Sequence, residues 1–282
     1  MRIVILTGAG ISAESGLGTF RDKDGLWTQY DLQDVATPQG FARNPQLVHE
    51  FYNARRANCR AAVPNAAHRA LARLETALPG QVTIVTQNVD DLHQRAGSRN
   101  VIQMHGALMR ALCGACGHRW DAPARMSPTD SCPACRQPAT RPDVVWFGEI
   151  PYQMDTIAGL IEAATHFAAI GTSGQVWPAA GLAAAARQAG ASCHELNLEP
   201  SEISGDFDHR HHGPATQGNA PCLFTEAKPW TRWSCAPPAP HAPPERRPAQ
   251  TAGRCGSAPR RFPPCRTTAA PSPGNPQIAR YG

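Results

Sequence analysis

The 282-residue sequence predicts an α/β fold built on a doubly wound parallel sheet. Two observations carry this expectation. Short apolar runs alternate with helix-period segments through the body, as strands joined by crossover helices do. The first run, Ile3-Val4-Ile5-Leu6, leads directly into Gly8-Ala9-Gly10-Ile11-Ser12-Ala13. That Gly-x-Gly-x-x-Ala spacing between a strand and a helix fits a Rossmann-like dinucleotide-binding loop, a weak signal when taken alone. Small residues there let backbone approach a pyrophosphate, and the helix start turns N–H groups toward it.

The predicted strands are residues 3–6, 82–85, 101–104, 144–147, 167–170 and 193–198, and the predicted helices are 66–78, 152–165 and 179–188. Right-handed crossovers gather the strand C-terminal ends on one edge, where ligands bind. Two insertions interrupt the alternation: a loop and helical segment at 18–60, and a smaller Cys-rich module at 108–142. The folded body is expected over 1–217. Residues 218–282 hold 14 of the 27 prolines and no apolar periodicity, a composition that predicts disorder.

Charge follows the same division. Residues 1–217 carry 18 Lys and Arg against 20 Asp and Glu, whereas 218–282 carry 9 against 2. The net +5 therefore resides in the tail, which is poor in lysine and interleaved aromatics, so no nucleic-acid partner is expected. No apolar stretch approaches the ~20 residues of a membrane helix. The first apolar run is only a strand long, and neither a signal peptide nor a membrane partner is expected. Among ten cysteines, two Cys-x-x-Cys pairs suggest metal rather than disulfides, and the cytoplasm is the expected compartment.

Cys113-x2-Cys116 and Cys132-x2-Cys135, 15 residues apart, fit a four-thiolate zinc site, with Gly114, Gly117 and Pro133 suited to its turns. Four thiolates leave no open position, so such a zinc is structural. The alternative is reduced pairs or disulfides. His118 is expected at the surface rather than on the metal.

Thr86-Gln87-Asn88-Val89-Asp90 follows the strand 82–85 and so reaches the ligand edge. Its amides and carboxylate suit a ribose and a carboxamide, but Asn88 or Asp90 could equally cap a helix over 91–95. His105-Gly106 follows the strand 101–104 at the same edge. Its imidazole suits a general base on a sugar hydroxyl, or a structural role at a strand end.

Taken in order, these pieces resemble the sirtuins, NAD-dependent protein lysine deacylases. The resemblance rests on the Gly8–Arg21 stretch, Thr86–Asp90, His105-Gly106 and the cysteine pairs. Pro142-Asp143-Val144-Val145-Trp146-Phe147-Gly148-Glu149, Gly171-Thr172-Ser173, Asn197-Leu198-Glu199 and Gly213-Pro214-Ala215 complete it, over about three quarters of the chain. It implies His105 as general base. It implies NAD contacts from Gly8, Ala9, Gly10, Ser12, Phe20, Arg21, Trp27, Gln87, Asn88, Asp90, Gly171, Thr172, Ser173, Asn197 and Ala215. Val145, Trp146, Phe147, Gly148 and Glu149 would pair with an extended acyl-lysine peptide. In the chemistry so implied, NAD is consumed to nicotinamide and O-acyl-ADP-ribose, and no hydride moves. Residues 22–40 accordingly show no second strand ending in a ribose-binding acid; Asp31 and Asp34 lie in a polar segment.

Tyr52 and Arg55 are three apart on a predicted helix and share a face. Phenol and guanidinium together suit an acyl carboxylate, and Tyr-x-x-Arg resembles the desuccinylase and demalonylase branch. An ordinary surface helix is the alternative. Arg56 is expected in solvent, and Cys59 and Cys193 as free thiols.

Three departures stand out. The sequence starts at the first strand, without the helix that usually precedes it. Gly18 replaces a usual proline, which predicts a looser cofactor loop and a modestly raised NAD requirement. After Ala215 the usual last strand and helix give way to the Pro/Arg-rich tail. A reading-frame change near Gln217 is the expectation, and it fails if no shifted frame of the coding DNA restores an apolar helical segment. The leading expectation is a deacylase of succinyl and malonyl groups. A plain deacetylase, a non-catalytic NAD-binding protein and, last, a tail-based nucleic-acid binder are the alternatives.

Overall fold

The computed structural model describes residues 1–18 and 30–215. Phe20, Arg21 and Trp27, named above as cofactor contacts, lie outside the described residues, as do 216–282. Six parallel strands form the main sheet in the order β3-β2-β1-β7-β8-β9. They are β1 (Ile3–Thr7), β2 (Val82–Thr86), β3 (Val101–Gln103), β7 (His166–Ile170), β8 (Ser192–Asn197) and β9 (His209–His212). In register, Thr7 pairs with both Thr86 and Ile170, and Ile170 with Leu196. The following loops therefore leave from one edge. The strand order turns back between β1 and β7, the switch point at which doubly wound sheets open a crevice.

Both faces of this sheet are covered, so its central strands β1, β2 and β7 are buried almost throughout. On one face Ile3, Ile5 and Ile84 meet Ala67 and Leu71 of α5 (Ala66–Ala77). On the other, Val4, Leu6 and Phe167 meet Ile157 of α7 (Met154–Glu162) and Ala183 of α8 (Leu182–Gln188). Helix α5 starts at a capping box in which the Asn65 side chain accepts from the His68 N–H and the His68 ring accepts from the Asn65 N–H. Helix α7 is shorter than the predicted 152–165. The Tyr152 N–H is drawn to the Met104 carbonyl, and that of Thr165 to Arg2, so both ends are held in loops.

The predicted strand 144–147 is corrected. The chain instead forms β6 (Thr140–Val144), antiparallel to β4 (Gly106–Cys113), with β5 (Arg119–Asp121) on the far side. Pro142 sits in β6 because an edge strand tolerates a missing N–H. Beyond Val144 the Arg141 guanidinium grips the Val144 carbonyl and both Glu149 oxygens, and this turns the chain. The insertion at 18–60 contributes three helices among the described residues: α2 (Leu32–Val35), α3 (Pro38–Arg43) and α4 (Pro45–Ala61). Asp31 caps α2, and Asp34 pairs with Arg43, so neither is placed as a ribose acid.

Candidate active site

Gly8-Ala9-Gly10 opens the loop after β1 and runs into α1 (Gly10–Ala13). The N–H groups of Gly8 and Gly10 are spent on the carbonyls of Ile170 and Gly171, at 3.0 and 2.8 Å. The glycines are therefore required first for loop-to-loop packing. Ala9 lies at the loop's crest, half-buried. On the facing loop, Thr172 accepts from Gln87 Nε2 at 3.0 Å through its hydroxyl, and its carbonyl accepts from Asn197 Nδ2 at 2.7 Å. Asn197 thus braces the Gly171–Ser173 turn. Ser173 is half-buried there, and Ala215 packs beside the core face of the sheet.

Beneath these loops lies a buried polar floor. Ser12 donates to Asp90 Oδ2 at 2.9 Å, and Asn88 Nδ2 donates to Ser12 Oγ and to the Gly8 carbonyl at 3.1 and 3.0 Å. Asp90 Oδ1 accepts from the Leu92 N–H, so this residue both supports α6 (Leu92–Ala96) and faces Ser12. Asn88 caps nothing. Burial pushes the Asp90 carboxyl up, against the pull of its two hydrogen bonds. Below sit two residues whose part the sequence did not reveal, His68 and His93, with rings 4.9 Å apart. His93 Nε2 meets the Thr7 hydroxyl at 3.0 Å. Asn65-x-x-His68 was the legible signal for one of them.

His105 stands at the mouth of this floor, at the junction of β3 and β4. Its Nδ1 lies 3.1 Å from the Gln87 carbonyl oxygen. A carbonyl only accepts, so Nδ1 carries the proton and Nε2 holds the free lone pair. Burial depresses its basicity and so favours the neutral ring, an effect partly offset by the Gln87 bond.

Tyr52, on α4, joins an apolar cluster of Phe51, Val48 and Trp146. Trp146 Nε1 donates to the Tyr52 hydroxyl at 2.9 Å, and the guanidinium of the half-buried Arg55 lies over the Phe51 and Tyr52 rings, 5.7 Å from each centroid. Tyr52 and Asp90 favour the guanidinium's charge against the cost of burial.

The 145–149 segment is a turn. Its N–H groups at Val145, Trp146, Phe147 and Glu149 go to His105, the Glu149 carboxylate, Ala36 and Trp146. Arg141 stacks over the Trp146 ring at 3.5 Å. Glu149 is held below its usual range by these bonds, in spite of burial, so its carboxylate braces the turn. Phe147, 47% exposed, and Gly148 form its outer surface.

The expectation on Arg56 comes out differently, whereas Cys59 and Cys193 are free thiols as expected. Arg56 is corrected from solvent to core: it is 0% exposed and bonded to Leu108, Asn53 and Met126. Its charge suggests solvent, but its Nε satisfies the buried Leu108 carbonyl and its fork bonds Asn53 and Met126 side chains. Cys59 and Cys193 are buried thiols raised to about 12 and about 11, mainly by burial.

The four cysteines of the two Cys-x-x-Cys pairs meet as expected. Cys113 and Cys135 Sγ are 3.6 Å apart, Cys116 and Cys132 Sγ 3.8 Å, and all four lie within 4.8 Å. Tetrahedral zinc with ~2.3 Å bonds needs sulfurs about 3.8 Å apart, so the set fits one structural Zn2+.

A parallel nucleotide-type sheet with its polar floor at the switch point, joined to a four-thiolate module, defines a Rossmann-like enzyme of the NAD-handling class. The Sir2 family model matches residues 8–178, and the chain belongs to the Sir2 family. It is 57% identical over 221 residues to an NAD-dependent protein deacylase of Caulobacter vibrioides, across 77% of this chain and 93% of that one. A protein of the same description from Salmonella typhimurium is 53% identical over 219 residues, covering 77% and 80%. A solved Sir2 homologue–NAD complex aligns with a TM-score of 0.71 at 40% identity, over 76% of this chain and 85% of that one. A Sir2 complex with a deacetylated p53 peptide and 3'-O-acetyl ADP ribose aligns at 0.66 and 29% identity, over 76% and 89%.

Proposed function

We propose that this NAD-dependent protein deacylase prefers acidic acyl groups, succinyl and malonyl, on lysine side chains of extended peptides. The observation that carries the preference is the Tyr52–Arg55 pair: a phenol with a guanidinium 5.7 Å from its ring, beside an apolar cluster. A carboxylate entering there would accept charge-assisted bonds from both.

NAD supplies an electrophilic ribose carbon with nicotinamide as its leaving group. The floor of Ser12, Asn88, Asp90 and Gln87 offers the hydroxyl, amides and carboxylate that suit a ribose and a carboxamide. His105 Nε2 takes the proton from a ribose hydroxyl, and Nδ1–H on Gln87 holds the ring in that tautomer. Val145 to Glu149 would meet the extended peptide on the outer side of their turn, where Phe147 and Gly148 are exposed. The four thiolates favour a reducing compartment, consistent with a cytoplasmic enzyme.

The test pairs acetyl-lysine and succinyl-lysine peptides of one sequence with NAD, with nicotinamide and acyl-ADP-ribose read by mass spectrometry. In Arg55→Met the succinyl-to-acetyl rate ratio should fall about tenfold or more, the loss of one charge-assisted bond. Equal losses on both peptides would leave a plain deacetylase.

A further inference from the structure

Helix α4 has two working faces. Tyr52 lies in the proposed acyl cluster with Arg55 over its ring, while His49, Asn53 and Arg56, spaced i, i+4, i+7, look toward the zinc module. On that second face His49 Nε2 donates to the Thr140 carbonyl at 3.2 Å. Asn53 donates to the Met126 carbonyl and accepts from the Met126 N–H, both at 2.8 Å. Arg56 donates to the Leu108 carbonyl at 3.0 Å, to Asn53 Oδ1 at 2.8 Å and to Met126 Sδ at 3.3 Å.

The three anchor points have one property in common. Leu108 lies on β4, which ends in Cys113; Met126 lies between the two cysteine pairs; Thr140 opens β6, just after Cys135. They are the three segments that the thiolate cluster ties together, and α4 bonds each of them. The partners of Arg56 are neutral, so the cation is held in the core by hydrogen bonds to fixed acceptors. Such an arrangement fixes position and rotation at a cost in desolvation.

We propose that Asn53 and Arg56 are positioning residues for acyl choice: they register α4 on the zinc module, so that the module sets where Tyr52 and Arg55 meet the acyl group. This inference rests on the acyl preference proposed above. A displacement of α4 by a fraction of an ångström would spoil a two-donor clamp while leaving an acetyl methyl accommodated. A role in stability alone would lower both activities together.

The experiment uses the full chain, with zinc content and folding checked for each variant. The kcat and KM of the acetyl- and succinyl-lysine peptides, and the KM of NAD, are measured for Asn53→Ala, Arg56→Met and Arg56→Lys, beside Arg55→Met. The succinyl-to-acetyl ratio should fall about fivefold or more in Asn53→Ala and Arg56→Met, chiefly through the succinyl KM, with the NAD KM steady. Arg56→Lys, which keeps the charge and loses the fork, should fall as well and serves if Arg56→Met fails to fold. Unchanged ratios in folded, zinc-loaded variants, or parallel losses on both peptides, overturn the positioning role while Arg55→Met still shifts the ratio. If Arg55→Met shifts nothing, the acyl preference itself has failed, and the positioning role with it.

Discussion

Gly10 donates its N–H to the carbonyl of Gly171 at 2.8 Å, and a Cβ built on Gly10 would stand 2.8 Å from the Gly171 Cα. The reciprocal Cβ on Gly171 would lie 2.4 Å from the Ile11 nitrogen, at a φ of +62°. The loops after β1 and β7 are thus locked backbone to backbone at the switch point, with no room for a methyl group on either side.

Gly10→Ala should therefore destabilise the protein by about 1–3 kcal/mol, the range for overpacking against atoms that cannot swing aside. Gly159 in α7 is the contrast, since a Cβ there meets nothing within 4 Å. Gly159→Ala should stabilise by about 0.5–1 kcal/mol, because alanine loses less entropy in a helix. Urea melts of both variants check the pair; opposite signs are expected, and two losses of similar size would contradict the packing argument.

The base assignment for His105 carries a pH signature. Its pKa in the fold lies below the ordinary 6.5, chiefly through burial. The neutral, proton-accepting form is thus complete at neutral pH, and activity should fall only as pH drops through that lowered value. The acid limb of kcat/KM should accordingly lie below pH 6.5, and His105→Asn should lose about 100-fold or more in rate. A limb centred above the ordinary histidine value would assign the titration to another group.

Much of this site was legible because its pieces sit where an apolar run stops. Residues 8–13, 87–90, 105 and 171–173 each follow a short buried run, so strand ends predicted their shared edge. What was not legible depends on partners far off in sequence. Strand β9 is His209-Arg210-His211-His212, with no apolar alternation; pairing with β8 from His194 to Asn197 makes it a strand. Arg56 reads as a surface charge until Leu108 and Met126 are brought to it. Val144–Phe147 is apolar enough for a strand, but the bond from Arg141 to Glu149 bends it into a turn.

Acid should weaken the fold through the buried imidazoles below the floor. His68 and His93 are lowered to about 4 and about 3, mainly by burial. In the unfolded chain both take up protons below roughly 6.5, whereas the folded protein resists until those lower values. Stability is thus intact at neutral pH and declines as pH falls from roughly 6.5, by at most about 1.4 kcal/mol per pH unit for each group. Denaturant melts at pH 7, 6 and 5 measure the slope, and His93→Gln should flatten it. An unchanged slope in that variant would assign the acid sensitivity elsewhere.

The two zinc-binding turns are built alike but not from like residues. Gly117 donates its N–H to the Cys113 carbonyl at a φ of +73°, and Arg136 donates to the Cys132 carbonyl at a φ of +65°. A left-handed conformation costs a side-chain-bearing residue roughly 1–2 kcal/mol, and glycine does not incur that cost. Arg136 is exposed, so its side chain offers little packing in return. Arg136→Gly should stabilise the zinc-loaded protein by about 0.5–1 kcal/mol, somewhat less than the full strain because glycine also frees the unfolded chain. Gly117→Arg should cost a comparable amount and hasten zinc loss to a chelator. Melting curves and chelator kinetics read both variants. If the Arg136→Gly variant melts earlier or sheds zinc faster than the parent, the Arg136 side chain contributes a contact that outweighs its backbone strain.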